Sequence, residues 1–246
     1  MKKILVVDDS ALMRRVICDI INQDERFQVV DTASDGMEAL QLLSQGSYDA
    51  VVLDVNMPRM NGIELLRELQ RRRIPAKVMM ASTDTREGTR TTMDALALGA
   101  LDFVHKPSKA LDCKEEDFRK NLLRTLYAVA ESRMPVFEKL FTRETIAVTK
   151  HVVEIAKKHS ASIPGNRIVA IASSTGGPKA LHNVITRLPK NLKAPVVVVQ
   201  HMPVGFTQSL AERLNSLSEI TVSEGIEGET LERGHVYIAR GGNHLN

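Results

Sequence analysis

Carboxylate side chains follow two apolar runs in the first half of the chain. Asp8 and Asp9 come directly after the run 4–7, and Asp54 follows the run 50–53. In open α/β sheets, ligands bind beyond the carboxyl ends of the strands, so we expect these side chains to converge. Three carboxylates at one point repel one another, and Mg²⁺ relieves that repulsion while keeping water positions free for a phosphate. The pattern therefore predicts a Mg²⁺ site at the edge of a parallel sheet.

A lysine near the same edge gives this site its chemistry. Lys106 follows the short run 103–104, and its ammonium group, together with the metal, would neutralise charge on a transferring phosphoryl group. Asp54 is the natural nucleophile, because carboxylates can form aspartyl phosphates. The alternative is that strand-end aspartates only cap helices or solvate loops. The coincidence of the whole set at strand ends favours phosphoryl transfer.

A serine-containing turn and a histidine follow two strands in the second half of the chain. Ser174 lies in the sequence SSTGG after the run 168–172, and His201 follows the four valines at 196–199. Small residues and glycines allow a sharp turn from strand to helix with an exposed serine. A histidine near such a serine can act as its general base, so the two residues fit a nucleophile–base pair. The same residues also fit a tight turn, or a phosphate-binding loop with His201 in a packing role. The four-valine strand is predicted to be core in every case.

Short apolar runs alternate with helical patterns through the first 130 residues. The apolar runs are 4–7, 27–30, 50–53, 78–81 and 103–104, and the helical patterns are 11–21, 37–43, 63–69, 91–98 and 116–130. Buried runs that alternate with helices are typical of a parallel sheet covered on both faces. We predict an α/β fold with a five-stranded, doubly wound, flavodoxin-like sheet in a first domain at 1–132.

The alternation breaks after residue 132 and resumes near residue 165. Pro135 and the sequence SASIPG at 160–165 are typical of turns and loops that connect domains. We therefore predict a partly helical linker at 133–164. A second α/β pattern then occupies 165–246, with strands at 168–172, 196–199, 220–222 and 236–239 and helices at 177–188 and 206–217. This second domain is short, and we predict an incomplete α/β domain.

Composition argues against several classes of function. The net charge of +3, from 33 basic and 30 acidic residues, is too small to indicate nucleic-acid binding or an anionic membrane surface. Cys18 and Cys113 belong to no CxxC or Cys/His cluster, so we predict neither a disulfide framework nor a zinc site. The run 4–7 is too short for a signal peptide, and no apolar stretch approaches about 18 residues. We therefore expect a cytoplasmic protein with no direct membrane insertion.

Several ordered motifs in the first domain are similar to those of the response-regulator receiver family. They are ILVVDDS, VVLDVNMPRMNG, VMMAS and DFVHKP. The resemblance implies that Asp54 accepts phosphate from a histidine kinase. It also implies that Asp9, Asp54 and the backbone carbonyl of Asn56 hold Mg²⁺, with the help of Asp8.

The same resemblance implies a conformational switch. Ser82 fills the position of the family's switch hydroxyl, which spacing favours over Thr83, and Phe103 fills that of its aromatic switch residue, three positions before Lys106. A phosphoryl group adds about two negative charges. The Ser82 hydroxyl would bond to it, and Phe103 would refill the space, so that the nearby surface changes its packing.

Motifs of the second domain resemble the catalytic domain of the chemotaxis protein-glutamate methylesterase/glutaminase family, CheB. They are ASSTGGPKAL, VVVVQHMPVGFTQSLAERLN and GHVYIARGGNHL. The resemblance implies hydrolysis of glutamyl methyl esters on chemoreceptor cytoplasmic helices, and deamidation of certain glutamines, with no cofactor at this site. It implies that Ser174 is the nucleophile, that His201 is the general base and later the acid, and that Thr175 supports the site.

The chain departs from that family's pattern in one important respect. The family's triad aspartate lies further downstream, and here no aspartate follows Asp117. Ala172 and Arg240 also stand where the family's motifs carry glycine and proline. We expect a C-terminally truncated form, and two functions stay open. One is a methylesterase whose receiver shields the Ser174 cleft until it is phosphorylated, and the other is a non-catalytic receiver that drains phosphate or competes for the kinase or receptor.

Overall fold

The computed structural model describes residues 1–83, 86–107, 116–132 and 167–243, and of 83 and 86–90 only the backbone. Parallel strands and helices alternate in the first domain. Its strands are β1 (Lys2–Val7), β2 (Phe27–Ala33), β3 (Ala50–Asp54), β4 (Val78–Thr83) and β5 (Asp102–Lys106). Its helices are α1 (Ala11–Asn22), α2 (Gly36–Gln45), α3 (Gly62–Arg72), α4 (Arg86–Ala97) and α5 (Glu116–Glu131).

The strand order of this sheet explains where its ligands bind. The order is β2-β1-β3-β4-β5, with every pair parallel. The predicted doubly wound sheet is therefore confirmed. Because the chain moves to opposite sides of β1 to form β2 and β3, a crevice opens at the carboxyl ends of β1 and β3. Asp8 follows the first of these strands, and Asp54 ends the second.

The turn after β3 is held close to the sheet by its residue types. Asn61 caps α3: its side chain accepts a hydrogen bond from the Glu64 amide, and the Glu64 carboxylate accepts one from the Asn61 amide. This reciprocal pair satisfies two amides that a helix start would otherwise leave unpaired. A Cβ on Gly62 would lie 2.3 Å from the Asp54 carbonyl oxygen. Only glycine therefore allows α3 to begin so close to the end of β3.

The second domain is an α/β unit, as predicted, and its strands are parallel. Its elements are the strands β6 (Val169–Ser173), β7 (Val196–Gln200), β8 (Thr221–Glu224) and β9 (His235–Ile238), with the helices α6 (Gly177–Ile185) and α7 (Phe206–Leu217). The strand order is β6-β7-β9-β8. The predicted linker at 133–164 and Cys113 lie outside the described residues. Within the described ranges, no helix is long and apolar enough to cross a membrane.

The four-valine strand is less uniformly buried than predicted. Val196, Val197 and Val198 are buried, but Val199 is 48% exposed. Side chains alternate between the two faces of a strand, so burial of all four needs cover on both faces. Ala170 and Ala172 of the neighbouring β6 are exposed as well. In the described part of the chain this end of one sheet face has no cover, and the core assignment of Val199 was wrong.

The two domains pack against each other through α4 and β5 of the first and α6 and α7 of the second. One buried apolar cluster contains Leu96 and Phe103 from the first domain and Phe206 and Leu210 from the second. Arg213 forms an ion pair with Asp94 across the same boundary. The carboxyl ends of the two sheets are thereby brought to a shared boundary.

Candidate functional site

The three predicted carboxylates converge at the crevice of the first sheet. Ligand oxygens of Asp8, Asp9 and Asp54 all lie within 4.8 Å of one another. Asp8 and Asp54 are buried, and Asp9 is exposed. Asn56 lies in the loop two residues beyond Asp54. This all-oxygen donor set, open to solvent on one side, fits a hexacoordinate Mg²⁺ that keeps some of its waters.

Lys106 contacts two of these carboxylates. Its Nζ lies 2.8 Å from Asp8 Oδ2 and 2.8 Å from Asp54 Oδ1. Burial lowers the pKa of Lys106, but attraction to Asp54 and Asp8 outweighs it, so the pKa is raised and the ammonium group stays charged. Burial raises the pKa of Asp54 although Lys106 opposes the shift. One cation thus faces three carboxylates, and the excess negative charge favours a divalent metal.

The predicted switch residues lie on β4, which pairs with the strand of Asp54, and on β5, the next strand beyond it. Ala81 of β4 is the register partner of Asp54, and Ser82 is the next residue along that strand. Ser82 is buried and pairs in register with His105 of β5. Phe103 is buried too, but at the boundary with the second domain. The side chain of Thr83, the alternative hydroxyl, lies outside the described residues.

A cavity between the domains collects the candidate residues of the second domain. Ser174, Thr175 and His201 line a space of about 980 Å³, together with Asp102 and Arg124 of the first domain. Ser174 and His201 are both exposed. Among the described hydrogen bonds, none joins the Ser174 hydroxyl to the His201 ring. The structure therefore brings the predicted nucleophile and base to one cavity without a direct contact between them.

Gln200, which the sequence analysis missed, joins the two turns that carry these residues. Its buried side chain accepts a hydrogen bond from Ser173 Oγ at 2.6 Å, and its Nε2 donates to the carbonyl oxygens of Ser174 at 3.0 Å and His201 at 3.2 Å. The His201 amide donates to the Ser173 carbonyl at 3.1 Å. The carboxyl ends of β6 and β7 are thus tied together by one amide side chain.

A glycine makes room for that amide. A Cβ built on Gly177 would overlap Gln200 Oε1, so the amide could not keep this position. Gly177 is the first residue of α6. The glycine after the Ser-Thr-Gly turn therefore has a packing role, because it lets the helix begin directly against Gln200.

An aspartate of the first domain contacts the turn after Ser174 in this cavity. The Thr175 hydroxyl donates to Asp102 Oδ2 at 2.6 Å, and the Gly176 amide donates to the Leu101 carbonyl at 2.8 Å. Burial raises the pKa of Asp102, although the Thr175 hydrogen bond and the charge of His201 oppose the shift. No aspartate follows Asp117 in the sequence, so the sequence analysis expected none at this site. The described hydrogen bonds of the Asp102 carboxylate are with the Thr175 hydroxyl and the Phe103 amide, so it does not hold His201 as a triad acid does.

Aromatic residues of β5 meet α7 beside this cavity. The ring of His105 packs edge-on against Phe206, with centroids 4.5 Å apart. Phe103 contacts the same ring, and Phe206 is fully buried. Phe206 begins α7, a few residues after His201. The surface of the first domain nearest its carboxylate site therefore touches the segment that follows the candidate base.

A parallel sheet with a carboxylate trio and a lysine at its carboxyl edge, joined to a second α/β unit, defines a response regulator with an output domain. The family model described as response regulator receiver domain matches residues 4–116, and the one described as CheB methylesterase matches residues 169–246. The chain belongs to the protein-glutamate methylesterase/protein-glutamine glutaminase family. The family expected from the sequence motifs is therefore confirmed.

Curated relatives match nearly all of this chain. One from Pyrococcus horikoshii, named protein-glutamate methylesterase/protein-glutamine glutaminase, is 42% identical over 243 residues, which are 99% of this chain and 64% of that protein. Relatives from Clostridium acetobutylicum and Syntrophomonas wolfei are 40% and 42% identical, over 99% of this chain and 67% and 68% of their own lengths. The chain thus spans less than two thirds of the Pyrococcus relative and about two thirds of the other two.

Proposed function

We propose that this chain acts in chemotaxis, where phosphorylation of Asp54 controls hydrolysis of glutamyl methyl esters on chemoreceptors. One observation carries the proposal: Ser174 and His201 line a cavity that residues of the receiver domain close from the other side. The names of the relatives support the choice of reaction. The partners would be a histidine kinase, as phosphodonor, and the methylated cytoplasmic helices of chemoreceptors, so we place the activity in the cytoplasm.

Phosphorylation would proceed at the carboxylate site. An Asp54 oxygen attacks the phosphorus of the donor, the bond to the donor nitrogen breaks, and an aspartyl phosphate forms. Lys106, already 2.8 Å from Asp54, would move its ammonium group onto the phosphoryl oxygens. Asp8, Asp9, Asp54 and the carbonyl of Asn56 would hold Mg²⁺, which when bound would neutralise charge on the same oxygens.

The switch would reach the second domain through β5. The Ser82 hydroxyl would turn toward the new phosphoryl group, and Phe103 would move into the space that it vacates. Phe103 contacts Phe206, so a change of its rotamer removes an apolar contact between the domains. Packed interfaces have discrete arrangements, so the loss of such a contact favours separation of the domains.

Ester hydrolysis would follow the logic of serine hydrolases. His201 takes the Ser174 proton, Oγ attacks the ester carbonyl, and His201 returns the proton as methanol leaves. Water then hydrolyses the acyl-serine and releases the glutamate. Deamidation of glutamine would run the same way and release ammonia. Backbone amides near Ser174 and Met202 would stabilise the oxyanion.

A second function is favoured by a specific observation. In the described residues, the Ser174 hydroxyl and the His201 ring share no hydrogen bond, and the aspartate that lines the same cavity, Asp102, contacts Thr175 instead. In a serine protease, loss of the orienting aspartate lowers kcat about 10⁴-fold. The chain would then act as a non-catalytic receiver that drains phosphate from the kinase or competes for the receptor.

Methanol release from methylated chemoreceptor, measured with and without a small phosphodonor, separates the two functions. The chain is compared with Ser174→Ala and with Ser216→Ala, at an exposed serine outside the cavity, as a matched control. Release that Ser174→Ala abolishes, that Ser216→Ala retains and that phosphodonor increases supports the methylesterase. No release from a chain that still becomes phosphorylated on Asp54 rejects it in favour of the non-catalytic receiver.

A further inference from the structure

Two acceptor groups of the first domain accept hydrogen bonds from the turn that directly follows the candidate nucleophile. The Thr175 hydroxyl donates to the carboxylate of Asp102, and the Gly176 amide donates to the carbonyl of Leu101. These donors belong to consecutive residues, as do the two acceptors. The turn after Ser174 therefore presents a pair of donors in one direction, and a dipeptide of the receiver occupies both.

The donor pair is built by the local backbone. Gly176 is the N-cap of α6, with φ of 76°, and no side chain of the second domain caps that helix. The first amides of a helix have no partner within the helix and carry its positive end, so they favour an acceptor or an anion. A Cβ on Gly176 would meet nothing within 4 Å, so this side of the turn is open space. The docked Leu101 carbonyl supplies the acceptor.

Asp102 is held in the orientation that this contact needs. Its Oδ1 accepts a hydrogen bond from the Phe103 amide at 2.9 Å, which leaves Oδ2 for Thr175. A largely buried carboxylate is costly unless hydrogen bonds or positive charges surround it. Besides Thr175, His201 and Arg124 act on it with favourable charge. These groups offset part of the cost of burying the carboxylate, although burial still raises its pKa.

The chemistry of the occupant matches the proposed reaction. Methyl-ester hydrolysis on glutamate leaves a side-chain carboxylate, and Asp102 carries the same group on a side chain one methylene shorter. Resting on the proposed function, we propose that Thr175 Oγ1 and the Gly176 amide form the subsite for the acyl oxygens of glutamyl and glutaminyl side chains. The Leu101–Asp102 segment of the receiver occupies this subsite as a built-in competitor.

A competitor within the same chain acts at a high effective concentration, of the order of millimolar for a flexible connection. A free ligand therefore binds weakly until the segment is displaced. Removal of the Asp102 carboxylate should open the subsite, whereas an amide at this position should keep it occupied, because its oxygen can still accept from Thr175. A break in another contact between the domains should leave the subsite filled.

The test is binding of N-acetylglutamate α-amide and of its γ-methyl ester to the full chain, followed by the NMR signals of the Thr175 and Gly176 amides. Asp102→Ala should bind both ligands at least tenfold more tightly than the wild type. Asp102→Asn should bind both ligands no more tightly than the wild type. Asp94→Ala, which loses the ion pair with Arg213 at the same domain boundary, is the matched control and should resemble the wild type as well.

Equal affinity for Asp102→Ala and Asp94→Ala would overturn the proposal, because a general loosening of the boundary would then explain the binding. Unchanged affinity in a folded Asp102→Ala chain would overturn it too. Adding Thr175→Val to Asp102→Ala should reverse the gain in affinity if the subsite is assigned correctly. Binding is measured without turnover, so an inactive chain that still binds in this pattern rejects the esterase and retains the subsite.

Discussion

The ring of Phe103, in the receiver, stacks on the ring of Phe206, in the second domain, with centroids 4.5 Å apart and planes at 19°. The residue expected to respond to phosphorylation is therefore itself a contact between the domains. Ser82 lies on the neighbouring strand, beside the register partner of Asp54. The neighbouring strand, with Ser82, and the ring of Phe103 therefore link the phosphoryl acceptor Asp54 to the domain boundary.

This stack predicts an energetic coupling between the two positions. Aromatic pairs contribute about 0.5–1.5 kcal/mol beyond the area they bury. In a double-mutant cycle of Phe103→Leu and Phe206→Leu, leucine keeps an apolar side chain and removes the stack. We expect a coupling of about 0.5–1.5 kcal/mol in the free energy of unfolding measured with urea.

The control cycle pairs Phe103→Leu with Tyr237→Leu. Tyr237 stacks on His235 within the second domain, with centroids 4.1 Å apart. Substitutions without a shared contact add within about 0.5 kcal/mol. A coupling in the control cycle as large as in the first cycle would show that the stack is not its source.

Asp54→Asn should reduce phosphorylation by a small phosphodonor to background, because an amide oxygen is a poor nucleophile toward phosphorus. Intact-mass measurement and the acid lability of the phosphate provide the readout. The control is Asp49→Asn. Asp49 directly precedes β3, at the end of the strand opposite Asp54, and its carboxylate accepts a hydrogen bond from the Lys3 amide. This variant should be phosphorylated normally in Mg²⁺ and not after chelation. An acid-labile phosphate retained on Asp54→Asn would refute the assignment.

Gln200→Leu should lower the free energy of unfolding by about 1–2 kcal/mol, because a part-buried hydroxyl and two carbonyl oxygens lose an amide partner. Leucine has a similar volume, so loss of polar contacts dominates. Gln208 pairs with Glu212 on the exposed face of α7, and Gln208→Leu should change stability by no more than about 0.5 kcal/mol. Urea midpoints measure both, and similar losses would argue against a special role for Gln200.

The Asp102 contact should weaken as pH rises. Burial raises the pKa of this carboxyl above its ordinary value of 3.8, against the effects of Thr175, His201 and Arg124. The docked form then binds the proton more tightly than an exposed carboxyl does, so protonation favours docking. Stability should increase as pH falls through the raised pKa and should stop increasing below 3.8.

The neutral variant Asp102→Asn provides the comparison for this pH dependence. At pH values above the raised pKa it should be more stable than the wild type, and the difference should shrink as pH falls. Urea unfolding of both proteins across that pH range provides the measurement. A difference that does not change with pH would mean that the carboxyl titrates alike in docked and free forms.

The sequence allowed prediction of the features that depend on local rules. Asp8 and Asp54 could be brought together because each follows a buried strand, and parallel strands share one carboxyl edge. Asp102 could not be assigned to the second site, because its position there depends on how two domains dock. Gln200 had a detectable signal, since a polar residue ends a run of four valines directly before His201. The exposure of Val199 depends on cover that no residue pattern within its strand encodes.

The close approach of Gly177 to Gln200 also limits how this sequence can diverge. Any replacement at residue 177 adds a Cβ where the amide oxygen lies, so the Gln200 side chain would have to move away from the groups that it bonds. Loss of Gln200, in turn, leaves the two turns of the second site without their common hydrogen-bond partner. Descendants should therefore inherit the two residues together or lose them together, and glycine without the glutamine should be the rare intermediate.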